Sequence, residues 1–190
     1  MAHHTIYVPG LGDHRSFGQD YAIQIWRLYG IIPHYLPLEW RQVTGIETKL
    51  DRLMNEVKKI KSAGHSVSLV GVSAGASAVL NAYATSDLID HVVCISGKIN
   101  NPHTVGEGTF KVNPDFRESL NVLTNSLKSL NPEQRKKIMS IHCWRDQTVP
   151  IADTRISGVI EKTLPGWSHS TGIFFGVIFG AYSISRFIKL

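Results

Sequence analysis

Apolar positions along the chain follow two spacings, which predict alternating strands and helices. Short apolar or β-branched runs bounded by turn residues predict strands at 5–8, 31–36, 66–72, 92–96, 138–143 and 160–164. Apolar residues three or four positions apart predict helices at 17–29, 46–60, 74–84, 115–130 and 171–188. This alternation favours a mostly parallel sheet with helices on both faces. The expected fold class is therefore α/β, with about six strands.

Three of the predicted helices have a recognisable apolar face. In the helix at 46–60 this face consists of Ile46, Leu50, Leu53, Val57 and Ile60. In the helix at 17–29 it consists of Tyr21, Ile25 and Leu28. In the helix at 115–130 it consists of Phe116, Leu120, Leu123, Leu127 and Leu130. For the last of these, packing on the core is favoured over a role as a substrate lid.

The segment at 171–188 is the most apolar part of the chain, with no charged residue from Gly172 to Ser185. A membrane span needs about 20 consecutive apolar residues, and this run is shorter. We expect a buried helix that packs under the sheet. The alternative is a partly exposed apolar face through which the chain forms a homodimer or contacts a lipid surface.

Length and composition predict one globular domain. The chain has 190 residues, of which 43% are hydrophobic and 18% charged. This suits a single domain at 1–190, with a modest insertion at 100–137 that begins with a polar stretch at 100–113. The formal net charge is +5, but its two basic clusters, at 58–61 and 135–137, are explained by solvated helix faces. We therefore expect no nucleic-acid partner.

The remaining composition predicts neither a metal nor a cofactor. Cys94 and Cys143 both lie in apolar runs and are expected to be buried thiols. The chain starts directly in a strand without a signal peptide, which together with the two thiols predicts a cytoplasmic setting. His3 and His4 have no neighbouring cluster of metal ligands. The glycines at 10 and 12 lack the third glycine of a dinucleotide-binding loop, because Arg15 stands there.

One short motif predicts a catalytic nucleophile. Gly71-Val72-Ser73-Ala74-Gly75 has the pattern G-x-S-x-G and lies between a predicted strand and a predicted helix. The chain must reverse sharply there for Ser73 to point its hydroxyl above the sheet. Gly71 and Gly75 leave the space that this turn requires, since they have no side chains. The alternative is that Ser73 only caps the helix.

A serine nucleophile needs a base, and the base needs an orienting acid. Asp146 follows the fifth predicted strand and His169 follows the sixth, so the chain supplies Ser73, Asp146 and His169 in the order nucleophile, acid, base. Alternatively, Asp146 opens a turn and His169 is an ordinary loop residue. His14, after the first strand, is the main rival as base.

The oxyanion of an acyl-transfer intermediate needs N–H donors fixed in advance. One expected donor is the amide of Ala74, directly after the nucleophile. The other is the amide of Leu11, in the loop Pro9-Gly10-Leu11-Gly12-Asp13, where two glycines allow close approach of a substrate.

The chain resembles the α/β-hydrolase superfamily in four segments: Tyr7 to Gly12, Gly71 to Gly75, Asp146 to Pro150 and Pro165 to His169. The resemblance is to small members without a large lid, such as minimal bacterial lipases and esterases, and to the retinoblastoma-binding serine hydrolase group. Pro9-Gly10 stands where the family often has His-Gly. The family usually begins with two more strands, so the resemblance implies a trimmed sheet.

These observations together predict an enzyme that cleaves carboxylic esters through a Ser-His-Asp triad and an acyl-enzyme intermediate, with a small-molecule ester or acyl compound as substrate. A thioesterase, amidase or peptidase with the same triad is an alternative, because the triad does not determine the leaving group. A non-catalytic binding protein that retains the fold is an alternative of another class.

Overall fold

The computed structural model describes residues 2–190, and its centre is a parallel sheet of six strands. The strands are β1 (His3–Val8), β2 (Ile31–Tyr35), β3 (Ser66–Val72), β4 (Val92–Ile95), β5 (Ile138–Cys143) and β6 (Ile160–Leu164). Their order across the sheet is β2-β1-β3-β4-β5-β6. The predicted α/β class, with a trimmed sheet of six strands, is confirmed.

The chain changes direction across the sheet between β1 and β3. It goes from β1 to β2 on one side, and β3 then pairs with the other side of β1, with His3 opposite Ser66 and Val8 opposite Gly71. The loops that leave the carboxyl ends of β1 and β3 therefore start side by side. In open parallel sheets this is the place where ligands bind.

Helices cover both faces of the sheet. The α-helices are α1 (Gln19–Ala22), α2 (Ile46–Ser62), α3 (Gly75–Ala84), α4 (Glu107–Val112), α5 (Pro114–Ser129), α6 (Pro132–Lys136), α7 (Ile151–Thr154), α8 (His169–Ile178) and α9 (Ala181–Ile188). Two 3-10 segments are Ile23–Tyr29 and Pro102–Thr104. One core lies between the sheet and α2, α3 and α5, and a second lies between the sheet and the 3-10 segment at Ile23–Tyr29 with α8 and α9.

Strand side chains alternate between these two cores. Ile6 and Val8 face the α3 side, whereas Tyr7 between them faces the α8 side. All six residues of β5 are buried. The predicted apolar faces at 46–60 and 115–130 pack on the α3-side core, and α5 buries Phe116, Leu120 and Leu123. Cys94 and Cys143 are buried free thiols, as expected.

The prediction of one helix at 17–29 with Tyr21, Ile25 and Leu28 on its buried face is wrong. Only Gln19–Ala22 is α-helical, after Gly18 with φ 77°, and the rest is a 3-10 helix. A 3-10 helix has three residues per turn, so Ile23 and Trp26 share the buried side. Tyr21 and Leu28 are instead 80% and 82% exposed.

The predicted single helix at 171–188 is two helices. The axes of α8 and α9 meet at 58°, and the break lies at Phe179 and Gly180. A Cβ on Gly180 would overlap with the carbonyl oxygen of Gly176, so the close approach at the bend requires glycine. Three short helices were not predicted from the sequence. They are α4, which lies within the polar stretch at 100–113, and α6 and α7.

Candidate active site

Ser73 occupies a strained turn between β3 and α3. Its φ is 52°, in the left-handed region that non-glycine residues rarely adopt. A Cβ on Gly71 would lie 2.5 Å from Cγ2 of Val79, and one on Gly75 would overlap with the carbonyl of Val8. Both glycines of the motif therefore provide the space that the sequence predicted, and the turn lifts Ser73 out of the sheet.

The structure brings the three predicted catalytic side chains together. His169 Nε2 lies 2.9 Å from Ser73 Oγ, and His169 Nδ1 lies 2.6 Å from Asp146 Oδ2. An ionised carboxylate only accepts hydrogen bonds, so Nδ1 carries the proton and donates it to Asp146. Nε2 is then free to accept the hydrogen bond from the Ser73 hydroxyl. Both hydrogen bonds have the direction that general-base catalysis requires.

Asp146 is held as a carboxylate by three hydrogen bonds. Its side chain is 1% exposed, and Oδ1 accepts from the amides of Thr148 and Val149 at 3.0 and 2.8 Å. Burial alone raises the pKa of Asp146, but the hydrogen bonds from His169 and the two amides outweigh it, and the pKa lies below the ordinary aspartate value. The acid is therefore ionised at neutral pH.

His169 is the first residue of α8 and is positioned by the loop before it. Ser168 caps the helix, and its Oγ accepts from the amide of Thr171. The loop and the first turn of α8 lie directly on the end of β5: a Cβ on Gly166, in the loop, would overlap with Cys143 Sγ, and one on Gly172, in α8, would lie 2.5 Å from it. These two glycines hold the histidine close to the sheet, and sequence reasoning did not find them.

The loop after β1 lies against Ser73. A Cβ on Gly10 would come within 2.9 Å of Ser73 Cβ. Leu11, Ser73 and Ala74 line the same cavity of about 200 Å³. Within residues 2–190, the amides of Leu11 and Ala74 donate to no protein acceptor. Both predicted donors therefore have a free N–H beside Ser73, although their role with an oxyanion stays a prediction.

Asp13 and Trp40 fix the position of this loop. Asp13 Oδ2 accepts from the amides of Glu39 and Trp40 at 2.5 and 3.3 Å, and the indole of Trp40 donates to the carbonyl of Pro9 at 3.2 Å. Burial raises the pKa of Asp13 above its ordinary value despite the hydrogen bonds from these amides. The loop is thus tied to the segment between β2 and α2 at both of its ends.

A buried ion pair borders the small cavity. Lys98 Nζ lies 2.5 Å from Asp153 Oδ2, and these side chains are 5% and 3% exposed. Burial alone raises the pKa of Asp153, but hydrogen bonds from Lys98, Asn101 and Thr104 outweigh it, and the pKa lies below the ordinary aspartate value. The amide of Lys98 also donates to the carbonyl of Ser73 at 3.0 Å. The pair therefore links the nucleophile turn to α7, which follows the loop of Asp146.

His14, the predicted rival base, is exposed in the turn after β1, and its side chain forms no hydrogen bond within residues 2–190. His3 and His4 lie at the start of β1, at the opposite end of the sheet from Ser73. The described residues contain no cluster of three or more metal-ligand side chains.

The outer side of α8 and α9 is apolar and exposed. Phe174, Phe179 and Tyr182 are more than half exposed, whereas Ile184, Phe187 and Ile188 pack under the sheet. No single helix within residues 2–190 is long and apolar enough to cross a membrane, and α8 with α9 meets the criteria only as a bent pair. The contact of this segment with a second copy or a lipid surface stays a prediction.

The same arrangement of strands and helices occurs in solved lipases and esterases. A monoacylglycerol lipase from Paleococcus ferrophilus is 14% identical, with a TM-score of 0.64 over 97% of this chain and 93% of that one. The esterase Est1E from Butyrivibrio proteoclasticus is 13% identical, with a TM-score of 0.68 over 99% and 87% of the two chains. The protein has an α/β-hydrolase fold.

A third structure with the α/β-hydrolase fold has nearly the same size as this chain. It is a putative hydrolase of the α/β superfamily from Xanthomonas campestris pv. campestris, 13% identical, with a TM-score of 0.65 over 98% of each chain. No protein-family model and no curated protein sequence matches the chain. At these identities the likeness establishes the α/β-hydrolase fold, and the activity has to be argued from the site.

Proposed function

We propose that the protein is a serine hydrolase that cleaves carboxylic esters. The observation that carries the proposal is the pair of short hydrogen bonds that connect Ser73, His169 and Asp146 at the carboxyl ends of three parallel strands. The names of the lipase and esterase with the same fold support an ester as substrate. The predicted cytoplasmic setting and single domain at 1–190 are parts of this proposal.

In the proposed reaction, His169 Nε2 takes the proton of Ser73 as Oγ attacks the acyl carbon of the ester. The Asp146 carboxylate stabilises the imidazolium ion that forms and keeps the ring in its orientation. The amides of Leu11 and Ala74 donate to the oxyanion of the tetrahedral intermediate. His169 then gives its proton to the leaving alcohol, and the acyl group remains on Ser73.

Deacylation repeats these steps with water as the nucleophile. His169 Nε2 takes a proton from the water, whose oxygen attacks the acyl carbon, and the same amides bind the second oxyanion. Collapse of this intermediate releases the carboxylic acid, and the proton returns to Ser73 Oγ. The chemistry of a thioester or amide differs only in the leaving group, so the substrate panel that tests the proposal includes both classes.

The test is turnover of p-nitrophenyl acetate and butyrate, with matched thioesters and anilides, by the native protein and Ser73→Ala. We expect ester turnover by the native protein and a loss of at least about 10³-fold in Ser73→Ala. Ser129→Ala, on the exposed end of α5, is the matched control and is expected to keep native turnover. Equal turnover by Ser73→Ala would contradict the proposal, and a folded native protein inactive on the whole panel would favour a binding protein.

A further inference from the structure

A large cavity close to the site is mostly apolar. Its volume is about 560 Å³, and it lies between α1, with the two residues before it, and α8. Phe17 and Ala22 line one side, and Ile173, Phe174 and Val177 line the other. No charged side chain lines it. Its volume falls within the usual range for small-molecule sites, about 300–1,000 Å³.

The walls of this cavity are next to two parts of the candidate site: His169 at the start of α8, and the loop after β1. One wall begins at Ser170, directly after His169. On the other wall, the Phe17 ring lies 3.4 Å from the position that a Cβ on Gly12 would occupy, and Gly12 follows Leu11 in the loop beside Ser73. The cavity therefore begins one residue after His169 and lies against the loop of Gly12, whereas Ser73 itself lines the smaller cavity.

The smaller cavity, on the α4 and α5 side, differs in its chemistry. Its volume is about 200 Å³, and its lining combines the polar Ser73, Lys98, Thr104 and Thr109 with apolar residues such as Val105 and Phe116. Polar side chains suit an alcohol or another polar leaving group, whereas an uncharged apolar wall suits a hydrocarbon chain. The two cavities therefore differ in the part of an ester that each can hold.

We propose that the cavity between Phe17 and Phe174 binds the hydrocarbon chain of the acyl group, so that the substrates are esters of medium-chain or longer fatty acids. This inference rests on the proposed ester hydrolysis. The rings of Phe17 and Phe174 are 72% and 53% exposed. A bound acyl chain covers both rings and removes their apolar surface from water.

The proposal predicts how the rate depends on chain length. Each methylene that enters the cavity contributes roughly two- to fourfold in kcat/KM, from the transfer free energy of a CH₂ group. The ratio of kcat/KM for p-nitrophenyl octanoate to that for the acetate measures this effect within one protein. Because it is a ratio, changes in the fraction of active protein cancel.

The experiment compares this ratio in five proteins: the native protein, three variants of α1 and the α8 segment, and Val105→Phe in the smaller cavity. Ala22→Phe fills the cavity and Phe174→Ala removes part of its wall; each is expected to lower the native ratio at least about fivefold. Phe179→Ala is the matched control, because Phe179 is 68% exposed on the same helical segment but lies outside the cavity. It is expected to keep the native ratio. Phe174→Ala needs no repacking of the core, so the test holds even where Ala22→Phe fails to fold.

Three results would overturn the inference. If the native protein hydrolyses acetate with a ratio near one, the cavity holds no acyl chain, although the proposed function stands. If Phe179→Ala lowers the ratio as much as Phe174→Ala does, the effect comes from the general apolar surface of α8. If Val105→Phe, which fills the smaller cavity, lowers the ratio and Ala22→Phe does not, the chain binds there. Absence of all ester hydrolysis removes the proposed function together with this inference.

Discussion

Gly10 lies directly against Ser73. A Cβ on Gly10 would come within 2.9 Å of Ser73 Cβ and 3.3 Å of its Oγ. The loop after β1 and the turn after β3 thus meet at van der Waals distance, which keeps the free amide of Leu11 beside the nucleophile. Any side chain at position 10 moves one of these two groups.

Gly10→Ala is therefore expected to lower kcat for an ester such as p-nitrophenyl butyrate by about 10²-fold, the effect of a misplacement near 1 Å at a reacting centre. Gly12→Ala, two residues along the same loop, is the control, because its Cβ would meet only the Phe17 ring at 3.4 Å. We expect most of the native kcat in Gly12→Ala. Similar rates in the two variants would show that the contact between Gly10 and Ser73 has no catalytic role.

The strain at Ser73 is expected to appear in stability. With φ at 52°, a residue with a side chain costs about 1 kcal/mol relative to glycine. Ser73→Gly should therefore unfold about 2–4 °C above Ser73→Ala in calorimetry. At Ser77, inside α3, the glycine variant is expected to unfold at a lower temperature than the alanine variant, because glycine is the poorer helix former. Equal midpoints for the two Ser73 variants would show that the turn is not strained.

The triad was predictable from the sequence because each member follows a strand. In a parallel sheet the carboxyl ends of all strands lie along one edge, so Ser73, Asp146 and His169 were expected at the same edge, and the strand order then brings β3, β5 and β6 close enough for contact. The order itself, β2-β1-β3-β4-β5-β6, has no local signal, since it depends on which strand edges pair. The fold class followed from the periodicity of apolar residues. The 3-10 helix at Ile23–Tyr29 was not predicted, because it has three residues per turn and the prediction assumed the α-helical repeat of 3.6.

Contacts between distant charged residues were not predictable. Lys98 pairs with Asp153, and Lys49 lies 3.3 Å from Asp115, although all four are charged residues of the kind usually exposed. These pairs join segments far apart in the chain, and no local pattern distinguishes them from solvated residues. The glycines at 166 and 172 were missed for a similar reason, because their neighbour is the sulfur of Cys143.

The Lys98–Asp153 pair supports a prediction about stability. Removal of one partner leaves a buried unpaired charge, so Lys98→Met and Asp153→Leu are each expected to lower the free energy of unfolding by about 3–5 kcal/mol. In the double variant neither charge remains, so the loss in free energy of unfolding should be much smaller than the sum of the losses in the two single variants. Urea denaturation of the four proteins measures this coupling; additive losses would mean that the pair is not a unit.

His3 supports a prediction about pH. Burial lowers its pKa from 6.5 to about 4, and Nε2 lies 3.0 Å from Ser68 Oγ. The unfolded chain therefore binds the proton more tightly than the folded one. Stability is unaffected above about pH 6.5 and falls as the pH decreases from there towards the folded-state pKa of about 4.

The comparison is the free energy of unfolding in urea at pH 7.5 and pH 5.0. We expect the native protein to lose on the order of 1 kcal/mol more than His3→Gln over this interval, after allowance for solvent screening of a partly exposed group. Identical losses in both proteins would show that His3 keeps an ordinary pKa. The other histidines with lowered pKa values remain in both proteins and cancel in the difference.

We propose that Ser73 is a nucleophile activated by His169. The most direct measurement of this activation is the intact mass of the protein after reaction with a fluorophosphonate, followed by peptide mapping. We expect one adduct per chain, located on Ser73, and no adduct in Ser73→Ala. An unlabelled native protein, or an equal adduct in Ser73→Ala, would contradict it.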